Sequence, residues 1–490
     1  MKLKNAFLEK YRSDQIWLAE WIFAIATGLL VFASTAYVDM ISLTVWSTNV
    51  WDVIMDSNIR HLYEFSAQNI YHVQHQYMGS ELLSVLPWSI WNIPIWIIQR
   101  FFGKPIVDSP LMLAYAKSFL VVLSVVTVIY TKKITYFLTG DRAKSMMAAF
   151  LTTSSIYIYI TVCYAGQNDI LMITASVIGI YCMIRNKRVA FIVWSTLAIA
   201  IKPFFLLAFL AVIMLYEKKI WRILMKAAFC SIGLVLQKLL FKGAPMYEES
   251  MTLGPSTNML KQMFPANVNT SFGGVSFFAM SLVVIYLYVY TRDFNRESPV
   301  KDTKYFGEFV IYTVTLTYFC YVLLSPFSYY RLAVIIPFFY ITMVQKSNLL
   351  FYNIALDTLM SAGLLMKLVM RGSSLFKLKS VNNSLIQGAL GYKVDYTKTD
   401  YFESLYALAV EKNELIEFFQ PLFAGVACVC GVLIVFFNHP DKETRLKVGE
   451  DKNWRLLLWI RTALMIPCVI LILYMFTHTS SANYVDYRIF

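Results

Sequence analysis

Charge is scarce in this chain. Only 15% of its 490 residues are Asp, Glu, Lys or Arg, against about 25% in an average soluble domain, while 58% are hydrophobic against about 45–50%. A shortage of that size, with a mean hydropathy of +0.57, excludes an ordinary water-soluble protein. Cysteine is missing from the places where it would cross-link loops. All seven (Cys163, Cys182, Cys230, Cys320, Cys428, Cys430 and Cys468) fall inside apolar runs, and Cys428 with Cys430 has C-x-C rather than C-x-x-C spacing. Disulfides and a thiolate metal site are therefore not expected. Also absent are a Gly-rich phosphate loop, an internal repeat, a low-complexity tract and a separate soluble domain.

What is present is a series of apolar runs of about 20 residues, the length that spans a hydrocarbon core about 30 Å thick. The expected fold class is all-α, a polytopic transmembrane helical protein with about 13 spans. Candidate spans are 16–38, 110–131, 145–165, 168–184, 189–216, 222–241, 272–291, 306–324, 330–345, 349–369, 416–437 and 455–476. The formal charge of +13 would suggest nucleic acid in a soluble protein. Here the basic residues sit in loops between spans, so they are read as topology signals and no nucleic-acid role is assigned. Lys2, Lys4, Lys10 and Arg12 precede a run from Ile16 to Tyr37 that is too long for a signal-peptide core, and it reads as a retained first span.

Two stretches are settled by the basic loops. If 82–102 crossed the membrane, Lys132, Lys133, Arg142 and Lys144 would face outward together with Arg185, Lys187 and Arg188, against the positive-inside bias. It is assigned to the interface, where Pro87, Trp88, Trp91, Pro94 and Trp96 fit a broken helix at headgroup depth. The stretch 189–216 has basic residues on both flanks, which calls for two short legs broken at Lys202-Pro203. The basic loops 132–144, 185–188, 217–226, 292–304 and 438–455 then share the cytoplasmic side with the N-terminus. The loops 39–109, 166–167, 242–271, 325–330 and 370–415 become external.

The first external loop is the richest in polar residues. Asp39 stands at the membrane boundary, where partial burial can raise a carboxylate toward a general-base pKa; the plainer alternative is a helix-end aspartate capping the next helix. Leu43, Trp46, Val50 and Val53 recur on one face while Asn49, Asp52 and Asp56 fall on another, which predicts an amphipathic helix along the outer surface. A second short segment runs from Asn58 to Phe65 and contains Tyr63. His72 and His75 lack a further carboxylate or cysteine cluster, so no metal site is assigned. Gly166-Gln167-Asn168-Asp169 is a short external turn that either simply starts a helix or offers Gln167 and Asp169 to sugar hydroxyls. Lys202, at membrane depth, needs a phosphate or a carboxylate unless its stem snorkels to the surface. Arg331 follows Ser325-Pro326-Phe327-Ser328-Tyr329-Tyr330, where it either clamps phosphate or anchors the helix end beside interfacial tyrosines.

One candidate base, a polar turn and two cations near the outer leaflet suit a lipid-linked phosphate substrate. In this pattern the chain resembles the GT-C superfamily of integral-membrane glycosyltransferases, and within it the polyprenyl-phosphate-sugar transferases of the glycosyltransferase family 87 type and related mannosyltransferases. The likeness rests on Asp39 ending the first span, the surface helices through Leu62-Tyr63, Gly166-Gln167-Asn168-Asp169, Ala200-Ile201-Lys202-Pro203 and, more weakly, Ser325-Pro326 to Arg331. It covers residues 1–345, which it implies are a conserved-type module containing external loop 39–109. Residues 346–490, with external loop 370–415, would be a variable C-terminal module.

The resemblance further implies that Asp39 is the catalytic residue. Some relatives carry paired acids at that point, whereas this chain has Val38-Asp39-Met40, which leaves Asp52 as the reserve acid. The function expected is inverting transfer of a sugar from a polyprenyl-phosphate donor to a glycan or lipid-linked acceptor on the external face, with no metal and no cofactor. Lys202 and Arg331 would hold the donor phosphate, and Gln167, Asp169, Asp52, Tyr63 and Tyr330 the sugar or acceptor. The missing Gly-rich loop fits a lipid donor better than a nucleotide-sugar donor. The alternatives are a transporter or flippase of lipid-linked saccharides and a polysaccharide polymerase or ligase. Richness in Lys, Ile, Asn and Tyr points to a low-GC bacterium and its cytoplasmic membrane.

Overall fold

The computed structural model describes residues 16–253, 267–292, 294, 302–324, 329–370, 384–390, 413–441 and 454–470, apart from positions 69, 71, 72, 74, 76 and 272. Helices of ten residues or more are α1 (Leu18–Ser34), α2 (Val38–Asp56), α3 (Leu82–Trp91), α4 (Ile93–Phe102), α5 (Pro110–Thr139), α6 (Arg142–Thr153), α7 (Asp169–Ile184), α8 (Arg188–Ile201) and α9 (Phe205–Tyr216). They continue as α10 (Ile220–Cys230), α11 (Ile232–Phe241), α12 (Phe277–Thr291), α13 (Asp302–Leu324), α14 (Ile336–Gln345), α15 (Leu350–Met370), α16 (Asn413–Phe437) and α17 (Trp454–Ala463). The only strands among the described residues are β1 (Asn267–Thr270) and β2 (Gly273–Ser276), an antiparallel pair with Asn267 opposite Ser276. The fold is helical, as the apolar runs indicated.

The described residues account for fewer long apolar helices than the 13 spans expected. Among the described residues, five stretches are long and apolar enough to cross a membrane, namely Pro110–Thr139, Arg142–Tyr164, Thr303–Leu324, Ser347–Leu368 and Phe418–Phe437, and the number rises to eight if each of three bent helix pairs is one span. Several of the expected 13 spans are instead short apolar helices such as Asp169–Ile184, Phe277–Thr291 and Arg331–Gln345. Sixteen residues of helix reach only about 24 Å at 1.5 Å per residue, less than the thickness of a hydrocarbon core. Hydropathy registers apolar length but not where a helix stops or bends. Thus α1 ends at Ser34 and the chain turns by 73° into α2, and α10 meets α11 at 44°.

Two breaks fall where the sequence placed them. The stretch 82–102 is bent by 72°; the corner is Asn92, while Pro87 sits inside α3 and Pro94 opens α4, where its missing N–H is not needed. The stretch 189–216 stops at Ile201 and resumes at Phe205, with Lys202 extended between the two legs. The expected amphipathic surface helix is corrected. In α2 the polar residues Ser42, Thr44, Ser47, Thr48, Asn49 and Asp52 are buried along with the apolar ones. The rest of the first loop folds over them. Asn92 Nδ2 donates to Ser47 Oγ (2.7 Å), Asn49 Nδ2 to Ser66 Oγ (3.2 Å), Trp51 Nε1 to the Ser89 carbonyl (2.7 Å), and Arg100 grips Asp56 through two bonds of 2.7 Å.

The described parts of the five basic loops gather at one end of the molecule. Arg185 lies over the Phe137 ring and Arg188 over Tyr216, Lys218 donates to the Tyr290 carbonyl (2.8 Å), Arg292 pairs with Asp441 (2.8 Å), and Lys144 donates to the Gln345 carbonyl (2.8 Å). Several of these cations also cap helices. The last carbonyls of a helix have no partner within it and carry partial negative charge. Lys144 meets that need at the end of α14, Lys218 at the ends of α9 and α12, and Lys346 beyond α16 through the His439 carbonyl (2.7 Å).

The same device recurs in the interior. Arg461 of α17 is fully buried and ion-paired with the fully buried Asp357 of α15. It also donates to Ser154 Oγ (2.6 Å), the Leu151 carbonyl (2.9 Å) and the Tyr340 hydroxyl (2.5 Å), so one guanidinium joins α15 and α17 to α14 and to the open end of α6. At the opposite end of the molecule from the basic loops lie the α1–α2 corner, the turn 166–169, Lys202 and the segment 75–84. There Ser84 Oγ donates to the Ile201 carbonyl (2.5 Å), and Gln237 bridges Leu83 N (2.6 Å) and the Ala200 carbonyl (3.2 Å).

A carboxylate held by an amide and an imidazole

The candidate site begins where α1 stops. Its freed carbonyls at Phe32 and Thr35 accept from Nζ of the buried Lys117 (3.0 and 2.8 Å), and the Thr35 hydroxyl donates to the Val31 carbonyl (2.8 Å) and reaches the Cys163 carbonyl (3.1 Å). With the end of α1 fixed in this way, the chain turns and Asp39 opens α2. A carboxylate in a first helical turn is favoured by the helix dipole. Asp39 caps nothing, because the N-cap is Tyr37 and no side chain bonds there. Its oxygens point outward instead. Oδ1 lies 2.7 Å from His75 Nε2 and Oδ2 accepts from Gln167 Nε2 at 2.5 Å. Asp39 keeps 24% and His75 26% of their side chains exposed, so the pair borders an opening.

Gln167 is delivered by an unusual turn. A π-helical stretch, Tyr159–Tyr164, precedes it, and Gly166 then takes φ +62°, a left-handed conformation that glycine adopts without steric cost. A Cβ at Gly166 would lie 2.6 Å from Cβ and Cγ of Met40. The turn can therefore press against the first turn of α2 only because residue 166 has no side chain. Asp169 then opens α7, fully buried, with no hydrogen-bond donor on either oxygen among the described residues. Its answering charge is Lys202, whose Nζ lies 3.4 Å from Oδ1. Of the fates open to Lys202 in the sequence, the structure shows pairing with a carboxylate.

Arg331 sits in the 3-10 turn Tyr329–Ile335, 7% exposed, and that turn packs against α7. Tyr321 of α13 stacks on Phe204, two residues beyond Lys202, and the turn carrying Arg331 packs against α13 as well. Asp39, Gln167, Asp169, Lys202 and Arg331 thus belong to one connected neighbourhood. Tyr330 lies in the same turn as Arg331, and Ser325-Pro326 lies outside the described residues.

Two candidates are placed elsewhere. Tyr63 is fully buried, donates to the Ser80 carbonyl (3.1 Å) and meets Phe241 and Tyr247 edge-on at 4.9 Å, so it packs the first loop against the end of α11. Asp52 lies thirteen residues, or about 20 Å of helix, from Asp39. It accepts from Trp96 Nε1 (2.7 Å) with Arg100 at 3.9 Å, which clips α2 to α4. Burial pushes the Asp52 carboxyl above its ordinary value, only partly offset by Trp96 and Arg100. Glu81, bound by the Tyr247 hydroxyl (3.2 Å), is likewise pushed up by burial.

Sequence reasoning passed over three features. His75 was set aside with His72 as an incomplete metal pair, and His72 lies outside the described residues. Lys117 stood alone in an apolar run, and Asp357 and Arg461 stood as single opposite charges in two separate runs. Such charges at membrane depth signal a pairing, though they do not say with what. Compared with models of protein families, with curated proteins and with solved structures, the chain matches none.

Proposed function

We propose that this protein is a membrane glycosyltransferase that moves a sugar from a polyprenyl-phosphate donor to a glycan or lipid-linked acceptor, with inversion at the anomeric carbon. The observation that carries the reading is the Asp39 carboxylate, oriented from two sides by Gln167 and His75 and partly open to the outside. Gln167 stands two residues before Asp169, which pairs with Lys202, and the turn that carries Arg331 packs against α7. Displacement at a sugar–phosphate bond needs an oriented base for the acceptor hydroxyl and positive charge for the departing phosphate. The Asp39 cluster supplies the first, and Lys202 with Arg331 the second. When the phosphate arrives, Lys202 exchanges its 3.4 Å contact with Asp169 for the leaving group. Asp169 and Gln167 are assigned to the sugar, with Tyr330, from the turn that carries Arg331, as a further candidate. The basic end is assigned to the cytoplasm together with the N-terminus, and the Asp39 end to the external face of a bacterial cytoplasmic membrane.

A second reading, transport of a lipid-linked saccharide, draws on the buried pairs Asp169–Lys202 and Asp357–Arg461, since charges at membrane depth often mark a translocation path. It needs no base at Asp39. Purified protein given a panel of labelled polyprenyl-phosphate sugars and a membrane extract as acceptor separates the two. Transfer by the wild type that is lost in Asp39→Asn supports the enzyme. Donor moved across liposomes without transfer supports the transporter.

A further inference from the structure

Both oxygens of Asp39 already accept hydrogen bonds, one from the Gln167 amide and one from His75. A carboxylate accepts, so His75 must donate through Nε2, which fixes its tautomer and leaves the Nδ1 lone pair of the neutral ring as the acceptor. Among the described residues His75 makes no other hydrogen bond. The chain is anchored before and after His75. Two residues before it, Val73 is buried against Val45 and Val107; three residues after it, Met78 is fully buried. Among the described charged groups nearby, Asp169 pairs with Lys202 and Lys117 donates to the carbonyls ending α1.

From this arrangement the geometry points to an Asp39–His75 dyad in which His75 Nδ1 takes the proton of the acceptor hydroxyl while Asp39, with Gln167, orients the ring and stabilises the imidazolium. This deepens the glycosyltransferase reading and rests on it for the identity of the acceptor. In the step itself the acceptor O–H bond breaks, its proton passes to Nδ1, and the oxygen forms the new bond to the anomeric carbon. The bond from that carbon to the phosphate oxygen breaks, and polyprenyl phosphate leaves with the electron pair. The proton then passes from His75 to solvent. Asp39 stays ionised throughout and is a positioning residue.

Two measurements test this on the full-length protein in detergent. In the first, diethylpyrocarbonate modification of His75 is followed by mass spectrometry across pH in wild type and Asp39→Asn. The reagent attacks a ring nitrogen that carries a lone pair, so a dyad confines modification of the wild type to Nδ1, and Asp39→Asn opens both nitrogens and changes the profile. Identical profiles would overturn the dyad, whatever the protein's substrate. In the second, His75→Gln keeps a donor where Nε2 stood but cannot hold a proton. The expected result is a loss of kcat of about 100-fold or more with little change in donor KM. Transfer at the wild-type rate with an unchanged pH profile would overturn the proton-accepting role while leaving the glycosyltransferase reading intact. Absence of transfer by the wild type itself would sink that reading, with the labelling profiles still deciding the dyad.

Discussion

At the scale of single residues, the site is assembled by groups whose backbone or depth leaves little choice. Gly166 is the clearest case, because its positive φ and its contact with Met40 both exclude a side chain. Gly166→Ala is expected to destabilise by about 1–2 kcal/mol from the left-handed backbone alone. It should also withdraw Gln167 from Asp39, so thermal unfolding in detergent should shift down and transfer should fall together. An unchanged melting temperature with normal transfer would show that the turn is not held as described. Asp39, Gln167, Asp169 and Lys202 were legible in the sequence because polar residues at the edges of apolar runs stand out. His75 was not, because its meaning depends on a partner 36 residues away. Asp52 and Tyr63 were misplaced because a loop position says nothing about which neighbour covers it.

At the scale of elements, helix ends decide the architecture. Apolar runs located most helices, and the proline at 203 and the aromatic stretch 82–102 marked two breaks correctly. The end of the first span was read at Asp39, close to the end of α1 at Ser34, whereas the break of α6 at Ser154 carried no proline and passed unseen. Each is answered by a buried cation from a distant helix, Lys117 and Arg461 respectively. Arg461 is the more demanding, since its pair with Asp357 is wholly out of water. Removing one partner of a buried pair typically costs about 3–5 kcal/mol, whereas replacing both by apolar residues is often nearly neutral. Arg461→Met is therefore expected to lose most folded protein, measured as the monodisperse fraction on size exclusion, and Arg461→Met with Asp357→Leu to recover much of it. Equal yields of the single variant and the wild type would contradict a clamping role for this pair.

At the scale of the whole molecule, the charge asymmetry that first suggested topology reappears as geometry. The described parts of the five basic loops meet at one end, and Asp39, Gln167, Asp169 and Lys202 lie at the other. The exposed positions Ser57 and Lys187 report on the two ends. An impermeant maleimide applied to intact cells is expected to label Ser57→Cys and not Lys187→Cys, and the reverse pattern would invert the assigned orientation. The number of spans was not legible, because an apolar run bent by more than 40° and a straight one have the same hydropathy. The central claim remains the chemistry at Asp39. Transfer of labelled sugar from polyprenyl phosphate by purified wild type, set against Asp39→Asn at equal membrane abundance, tests it most directly. The expected result is transfer by the wild type and a loss of at least about 100-fold in the variant. Undiminished transfer by Asp39→Asn, or none by the wild type from any donor, would contradict it.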